Sequence, residues 1–246
     1  MRSLLLRFYW RMEKIFFPQL SSSQYRYYQL LNRRVQPRCD WLEMGCGHQM
    51  FAPWMPNEEA RLIERSGHVV GIDLDWEGMK KNTGVHGKIF GNLEQLPLRT
   101  SQFDLVTANM VVEHLGSPSK VLAEVYRVLR PGGLFIFHTP NRRCLTVRLT
   151  KWLPQWIKNL MVLWLEGRSE EDVFPTRYRL NSLEDITRLG AAAGLPVDEI
   201  QMVSTSAVSV MLGPVSIVEL LYLRFIERDS LKWLRSNLLV VLRKAA

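Results

Sequence analysis

Between residues 39 and 141 the chain alternates short apolar runs with amphipathic stretches, as expected of strands covered by helices. Residues 41–44 form the first run, which ends in Gly45-Cys46-Gly47. A helix is predicted over 58–66, closed by Gly67, and residues 69–72 form a second run ending in Asp73. Residues 88–90 make a weak third run and 103–108 a fourth. Over 119–129 the apolar positions Val121, Leu122, Val125, Val128 and Leu129 recur at helical spacing. Pro131-Gly132-Gly133 is expected to stop that helix and turn the chain into a fifth strand over 134–137.

Beyond Pro140 the pattern changes. Residues 144–166 are rich in Leu and Trp with interspersed Arg and Lys, and Pro154 divides them into two helical pieces. Asn181-Ser182 caps a helix predicted over 183–193, with Glu184 and Asp185 in its first turn and Gly194 past its end. A strand follows at 197–204, a second apolar insert at 208–234 and a closing strand at 238–242. The reading is a basic helical segment over 1–38, then one α/β domain over 39–246. Helical lid inserts interrupt that domain at about 144–175 and 208–235.

Composition narrows the class. With 47% hydrophobic and 23% charged residues in 246, the chain has the content of one globular domain, not of a disordered segment. Cys39, Cys46 and Cys144 share neither disulfide nor metal-ligand spacing, so no metal site is expected and a reducing, cytoplasmic setting is. The net charge of +8 has much of its source at the N-terminus. There Arg2, Arg7, Arg11, Lys14, Arg26, Arg33, Arg34 and Arg38 face only Glu13. Such a segment either favours an anionic surface (lipid headgroup, phosphorylated ligand, RNA) or is a solvated helix docked on the domain. No secretory leader is expected from the first residues, and residues 208–226 carry Pro214, Glu219 and Arg224, against a membrane span.

The chemistry starts at the glycine pair. Glycines on the turn after a buried strand let backbone amides approach a ligand, either a pyrophosphate or the carboxylate of an amino acid. An empty turn is the plain alternative. Asp73, ending the next run, suits the hydroxyls of a ribose. A dinucleotide site needs a third glycine, and Met50 stands where it would be. Glu43, just before the turn, would repel a pyrophosphate and suit an ammonium. Together these favour an amino-acid-bearing nucleoside.

Six blocks then occur in order: Glu43-Met-Gly-Cys-Gly47, Val70-Gly-Ile-Asp73, Gly91-Asn-Leu-Glu-Gln-Leu-Pro97, Phe103-Asp-Leu-Val106, Glu113-His-Leu115 and Val128-Leu-Arg-Pro-Gly-Gly133. In this the sequence resembles the class I S-adenosylmethionine-dependent methyltransferases, in the branch acting on small molecules and lipids. The resemblance covers residues 39–141, with a looser match at 174–195. It implies a doubly wound, mostly parallel seven-stranded sheet, with the last strand antiparallel, and S-adenosyl-L-methionine as cofactor. By the same resemblance Gly45, Cys46 and Gly47 would lie under the methionine part, with Glu43 near its amino group and Asn109 beside it. Asp73 would hold the ribose, Leu74 would pack near the adenine, and Asn92 and Leu93 would line its edge. Gln49 replaces a third glycine and Asn92 an aspartate; Asn92 is equally a turn residue.

His114 is the candidate general base, since an imidazole titrates near neutral pH. The alternative is that Glu113-His114 caps the segment leading to Ser117 and Pro118. Glu113 ranks below it, and His138 reads first as a satisfied strand-end histidine. No Asn/Asp-Pro-Pro-aromatic block, which in this family marks methylation of planar amino groups on bases, follows the fourth strand, where Asn109-Met-Val-Val stands, so DNA adenine methylation is disfavoured. The expected reaction is O-methylation of a small amphipathic or lipid-linked acceptor, with carbon as the lesser option. Inserts after the fifth strand would cover the acceptor, and their Trp, Leu and basic residues suit either a lid or peripheral contact at the inner face of a membrane. RNA is disfavoured because no RNA-binding module is recognisable. Two rivals stand beside this reading: a nicotinamide-dependent reductase, and a catalytically silent protein of the same fold acting as a scaffold.

Overall fold

The computed structural model describes residues 2–145, 147–148, 175–205 and 210–246. The chain divides into two compact units: Arg26–Pro140, Thr176–Gln201 and Leu238–Ala246 in one, and Met1–Tyr25, Asn141–Pro175 and Met202–Asn237 in the other.

The first unit is built on a sheet. Its strands are β1 (Asp40–Met44), β2 (His68–Asp73), β3 (Gly87–Phe90), β4 (Phe103–Asn109), β5 (Leu129–Pro140), β6 (Val197–Val203) and β7 (Asn237–Arg243), in the order β3-β2-β1-β4-β5-β7-β6. The pairings among β1 to β5 are parallel. Both pairings of β7 are antiparallel, as expected of the last strand, so the sheet is mixed and "mostly parallel" is only partly right: four of its six pairings are parallel. A strand inserted last between β5 and β6 needs no crossover helix when it runs antiparallel. Leu42, Met44, Val69, Ile72, Val106, Phe135, Ile136, Leu239 and Val241 are fully buried in this layer.

The helices start and stop for local reasons. The helix Pro56–Arg65 has Pro at its first turn and acids Glu58 and Glu59 there, both suited to a helix N-terminus. The helix Pro118–Val128 buries Val121, Leu122, Val125 and Val128, the stripe predicted from spacing. The helix Leu183–Ala192 is capped by Ser182, whose hydroxyl accepts from Asp185 N. Trp76–Lys81, capped by Asp75 accepting from Gly78 N, is too short to have left a periodic signal.

One expectation is corrected. Pro131-Gly132-Gly133 does not separate helix from strand: these residues lie inside β5, where the register slips between Phe103↔Leu129 and Leu105↔Leu134. Gly132 at φ +78° takes up the bulge, and a Cβ on Gly133 would sit 2.9 Å from Arg130 O.

In the second unit the helix Arg2–Phe16, here α1, buries Tyr9 against Leu220, with Leu6, Met12 and Phe16 around them. Leu220 belongs to the helix Ser216–Ile226, here α2, which follows a 3-10 stretch Val210–Val215. Asn141 Nδ2 donates to Trp233 O and Arg235 O, both at 2.8 Å, and Ser204 Oγ donates to Glu227 at 2.9 Å. The predicted helical pieces around Pro154 lie almost wholly outside the described residues. Among those residues no helix is long and apolar enough to cross a membrane.

Candidate active site

Strand order reverses between β1 and β4, the position at which parallel sheets open a crevice at their carboxyl ends. The glycine turn sits there. Gly45 (φ +67°) donates its N–H to Ile72 O at 2.8 Å, folding the chain over the end of β2. A Cβ at Gly45 would lie 2.3 Å from Val111 Cγ2, just past β4, so only glycine fits. Gly47 (φ +43°) has nothing within 4 Å of a built Cβ; that face is open. Its N–H donates to Asp73 Oδ2 at 2.8 Å, while Asp73 Oδ1 accepts from Asp75 N at 2.9 Å. From the other side buried Asn82 donates through Nδ2 to Cys46 O at 3.0 Å and Gly47 O at 3.3 Å. Cys46 is buried, its thiol pushed up to about 12 mainly by that burial, so it meets the crevice through backbone alone. Asn82 was not among the residues read from sequence, since an asparagine after a six-residue helix looks like any turn former.

Leu74, next to Asp73, is 53% exposed. Asn92 is exposed, and its Oδ1 accepts from Glu94 N at 2.9 Å, the geometry of a turn residue. An amide oxygen has a second lone pair, which leaves capacity for another donor. Leu93 is half-buried beside it.

Glu43 is 2% exposed. The parallel register places it opposite Thr107 of β4, whose hydroxyl donates to Glu43 Oε2, and Trp41 Nε1 in turn donates to Thr107 Oγ1. Burial is the main cause that pushes the Glu43 carboxyl up to about 8, and Glu59 adds to it; the Thr107 and Trp41 bonds oppose it. The carboxyl is therefore mostly neutral at pH 7. Nearby, Tyr27 is buried, with its hydroxyl donating to Ile136 O at 3.4 Å. Thr107 and Tyr27 were also missed: one is the lone hydroxyl in an apolar strand, the other lies eighty residues upstream.

At the end of β4, Asn109 Nδ2 donates to Met50 O at 2.8 Å, and its Oδ1 pairs with His138 Nδ1 at 2.9 Å. His138 is buried with its ring 5.6 Å from that of Tyr27, as a satisfied strand-end histidine would be. His114 ends the 3-10 turn Val112–His114 with its side chain 30% exposed, and its Nε2 lies 4.0 Å from Glu113 Oε1. Glu113 itself is buried. Its Oε2 accepts from Thr139 Oγ1 at 3.1 Å, Thr139 Oγ1 accepts from Asn181 Nδ2 at 2.6 Å, and the Glu113 backbone oxygen accepts from Arg177 N at 2.7 Å. Burial pushes its carboxyl up to about 7. An imidazole at the surface thus has beside it an anchored acid that ionises near neutrality.

Residues 42–137 match the family described as "Methyltransferase domain". A Mycolicibacterium smegmatis protein named "probable S-adenosylmethionine-dependent methyltransferase" is 33% identical over 133 residues, 51% of this chain and 49% of that protein. The malonyl-[acyl-carrier protein] O-methyltransferase of Serratia marcescens is 33% identical over 103 residues, 40% of this chain and 37% of that protein. The chain thus spans half or less of the length of these relatives. In fold it is similar to a solved S-adenosylmethionine-dependent methyltransferase of Methanosarcina mazei, with a TM-score of 0.56 at 14% identity, covering 88% of this chain and 97% of the other. Match, relatives and sheet order agree: residues 42–137 are similar to methyltransferase domains, the fold is the α/β fold of the solved methyltransferases, and S-adenosyl-L-methionine is the cofactor that these similarities support.

Proposed function

We propose that this chain transfers the methyl group of S-adenosylmethionine to an oxygen of a small amphipathic or lipid-linked acceptor, with His114 taking the acceptor's proton. The observation that carries the reading is the contact between Gly45 and Val111. It brings the cofactor turn against the segment that holds Glu113 and His114. When bound, the cofactor supplies a sulfonium whose methyl is already a strong electrophile, so the protein's work is alignment and proton removal.

The residues fit that ligand. Gly47 offers an open backbone surface and Asp73 a half-exposed carboxylate for a ribose diol; Leu74 offers exposed apolar surface for a base, with Asn92 and Leu93 at its edge. Glu43 and Asn109 serve the methionine end, and Glu43 is a buried acid that an ammonium would ionise. Glu113, once ionised, stabilises the imidazolium that forms on His114. An oxygen acceptor is supported by the Serratia relative, whose name states O-methylation, and by the lack of a base-methylating block after β4. The lipid-linked class is supported by the Leu- and Trp-rich, basic sequence of 144–166.

The test is incubation of lipid and metabolite extracts with methyl-labelled cofactor, with wild type and His114→Ala in parallel. Label in an O-methyl product that depends on His114 supports the proposal. Label on nitrogen or carbon overturns the acceptor class. Tight cofactor binding with no labelled product favours the silent scaffold.

A further inference from the structure

α2 in the second unit has the sequence Ser216-Ile-Val-Glu-Leu-Leu-Tyr-Leu-Arg-Phe-Ile226. It buries Ser216, Leu220, Leu223 and Ile226, with Leu220 against Tyr9 of α1. A helix packed on one side ordinarily shows polar residues on the other. This one does not. Val215, Val218, Leu221 and Phe225 are 59%, 66%, 50% and 50% exposed, and their spacing of three, three and four puts them on one stripe opposite the buried face.

A cation lies against that stripe, and the unit that carries it is rich in exposed cations. The Arg228 guanidinium lies 4.9 Å over the Phe225 ring, and Arg228 and Lys232 are exposed. Arg7, Arg11 and Lys14 of α1 are exposed as well, with Trp10 at 44%. Among the described residues of this unit, eleven Arg and Lys stand against four Asp and Glu, which is most of the positive excess of the chain. A second copy seated on the stripe would set like charge against like charge. An anionic bilayer satisfies both features: its headgroups meet the cations and its acyl boundary takes the apolar side chains. No described helix is long enough to span, so the contact is at the surface.

We propose that this unit docks on the surface of an anionic lipid bilayer through the stripe Val215, Val218, Leu221 and Phe225, with Arg228 and Lys232 on headgroup phosphates. The proposal does not depend on the methyl-transfer reading, and its readout is not activity. The full chain is floated with vesicles of phosphatidylcholine alone and of phosphatidylcholine mixed with phosphatidylglycerol, at low and high salt. Binding is expected to the mixed vesicles only and to weaken with salt. Leu221→Asp with Phe225→Asp should lower the partition about tenfold or more, from lost burial of two half-exposed side chains. The melting temperature and the affinity for S-adenosylhomocysteine should stay unchanged, since both residues face solvent. Arg228→Glu with Lys232→Glu should also weaken binding. The proposal is overturned by equal binding to both vesicle types, by no binding, by binding indifferent to the stripe substitutions, or by a dimer in light scattering that the stripe substitutions dissolve.

Discussion

Replacing Glu43 by Gln tests the electrostatics of the site most directly. Burial raises this carboxyl from its ordinary 4.5 to about 8 in the folded protein. In the unfolded chain it titrates near 4.5, so between those values the folded state holds a proton that the unfolded state has lost. Stability must then fall with rising pH: the contribution is fully present below 4.5 and is lost as the pH rises through about 8. At 1.36 kcal/mol per pH unit the loss is on the order of 5 kcal/mol. Gln keeps the size and an acceptor for the Thr107 hydroxyl, and does not titrate. Glu43→Gln should therefore match wild type below about pH 5 and exceed it by several kcal/mol above about pH 8. Urea unfolding followed by tryptophan fluorescence across that range measures the difference. Glu113, raised to about 7, has the same sign but is present in both proteins and cancels. Cofactor binding should run the other way. If the ammonium needs the ionised carboxylate, wild-type affinity rises about tenfold per pH unit until about pH 8, while the Gln variant is flat and weaker by about 1.5–3 kcal/mol. Unfolding curves of the two proteins that stay parallel in pH would refute the reasoning.

Asp73→Ala should weaken S-adenosylhomocysteine binding by about 1.5–3 kcal/mol in calorimetry, because it removes a charged acceptor; unchanged affinity would take Asp73 out of the site. Gly45→Ala meets both a positive φ and Val111, so thermal denaturation should show a loss of about 2–4 kcal/mol. Gly47→Ala meets no neighbour and should cost only about 1–2 kcal/mol of stability, yet weaken cofactor binding by filling the open face. The two glycines thus separate in opposite assays, and equal effects in both would contradict the geometry. His114→Ala should lower turnover by about a hundredfold or more with cofactor affinity unchanged, read by labelled methyl transfer; an unaltered rate retires the base.

Legibility followed the range of the physics involved. Turn and cap chemistry is local, so the bends at Gly45 and Gly47 and the Ser182 cap were readable from neighbours within a few residues. The hydroxyl facing Glu43 was not: Thr107 is 64 residues away, and only the β1–β4 register brings them together. The same holds for Glu113, ranked low from sequence, whose anchoring by Thr139 and Asn181 joins three separate segments. The bulge in β5 was misread because Pro-Gly-Gly signals a turn, and nothing local says that the strand has already begun at Leu129.

What the amino-acid order determined alone is where backbone must bend and which helices have an apolar side, because φ preferences and side-chain spacing belong to single residues and their near neighbours. Tertiary structure alone decided that Glu43 is a neutral acid inside a hydrogen-bonded layer, and that Glu113 stands buried beside His114. Burial and pairing are relations between distant segments, and a carboxyl's charge state follows from who surrounds it rather than from who precedes it.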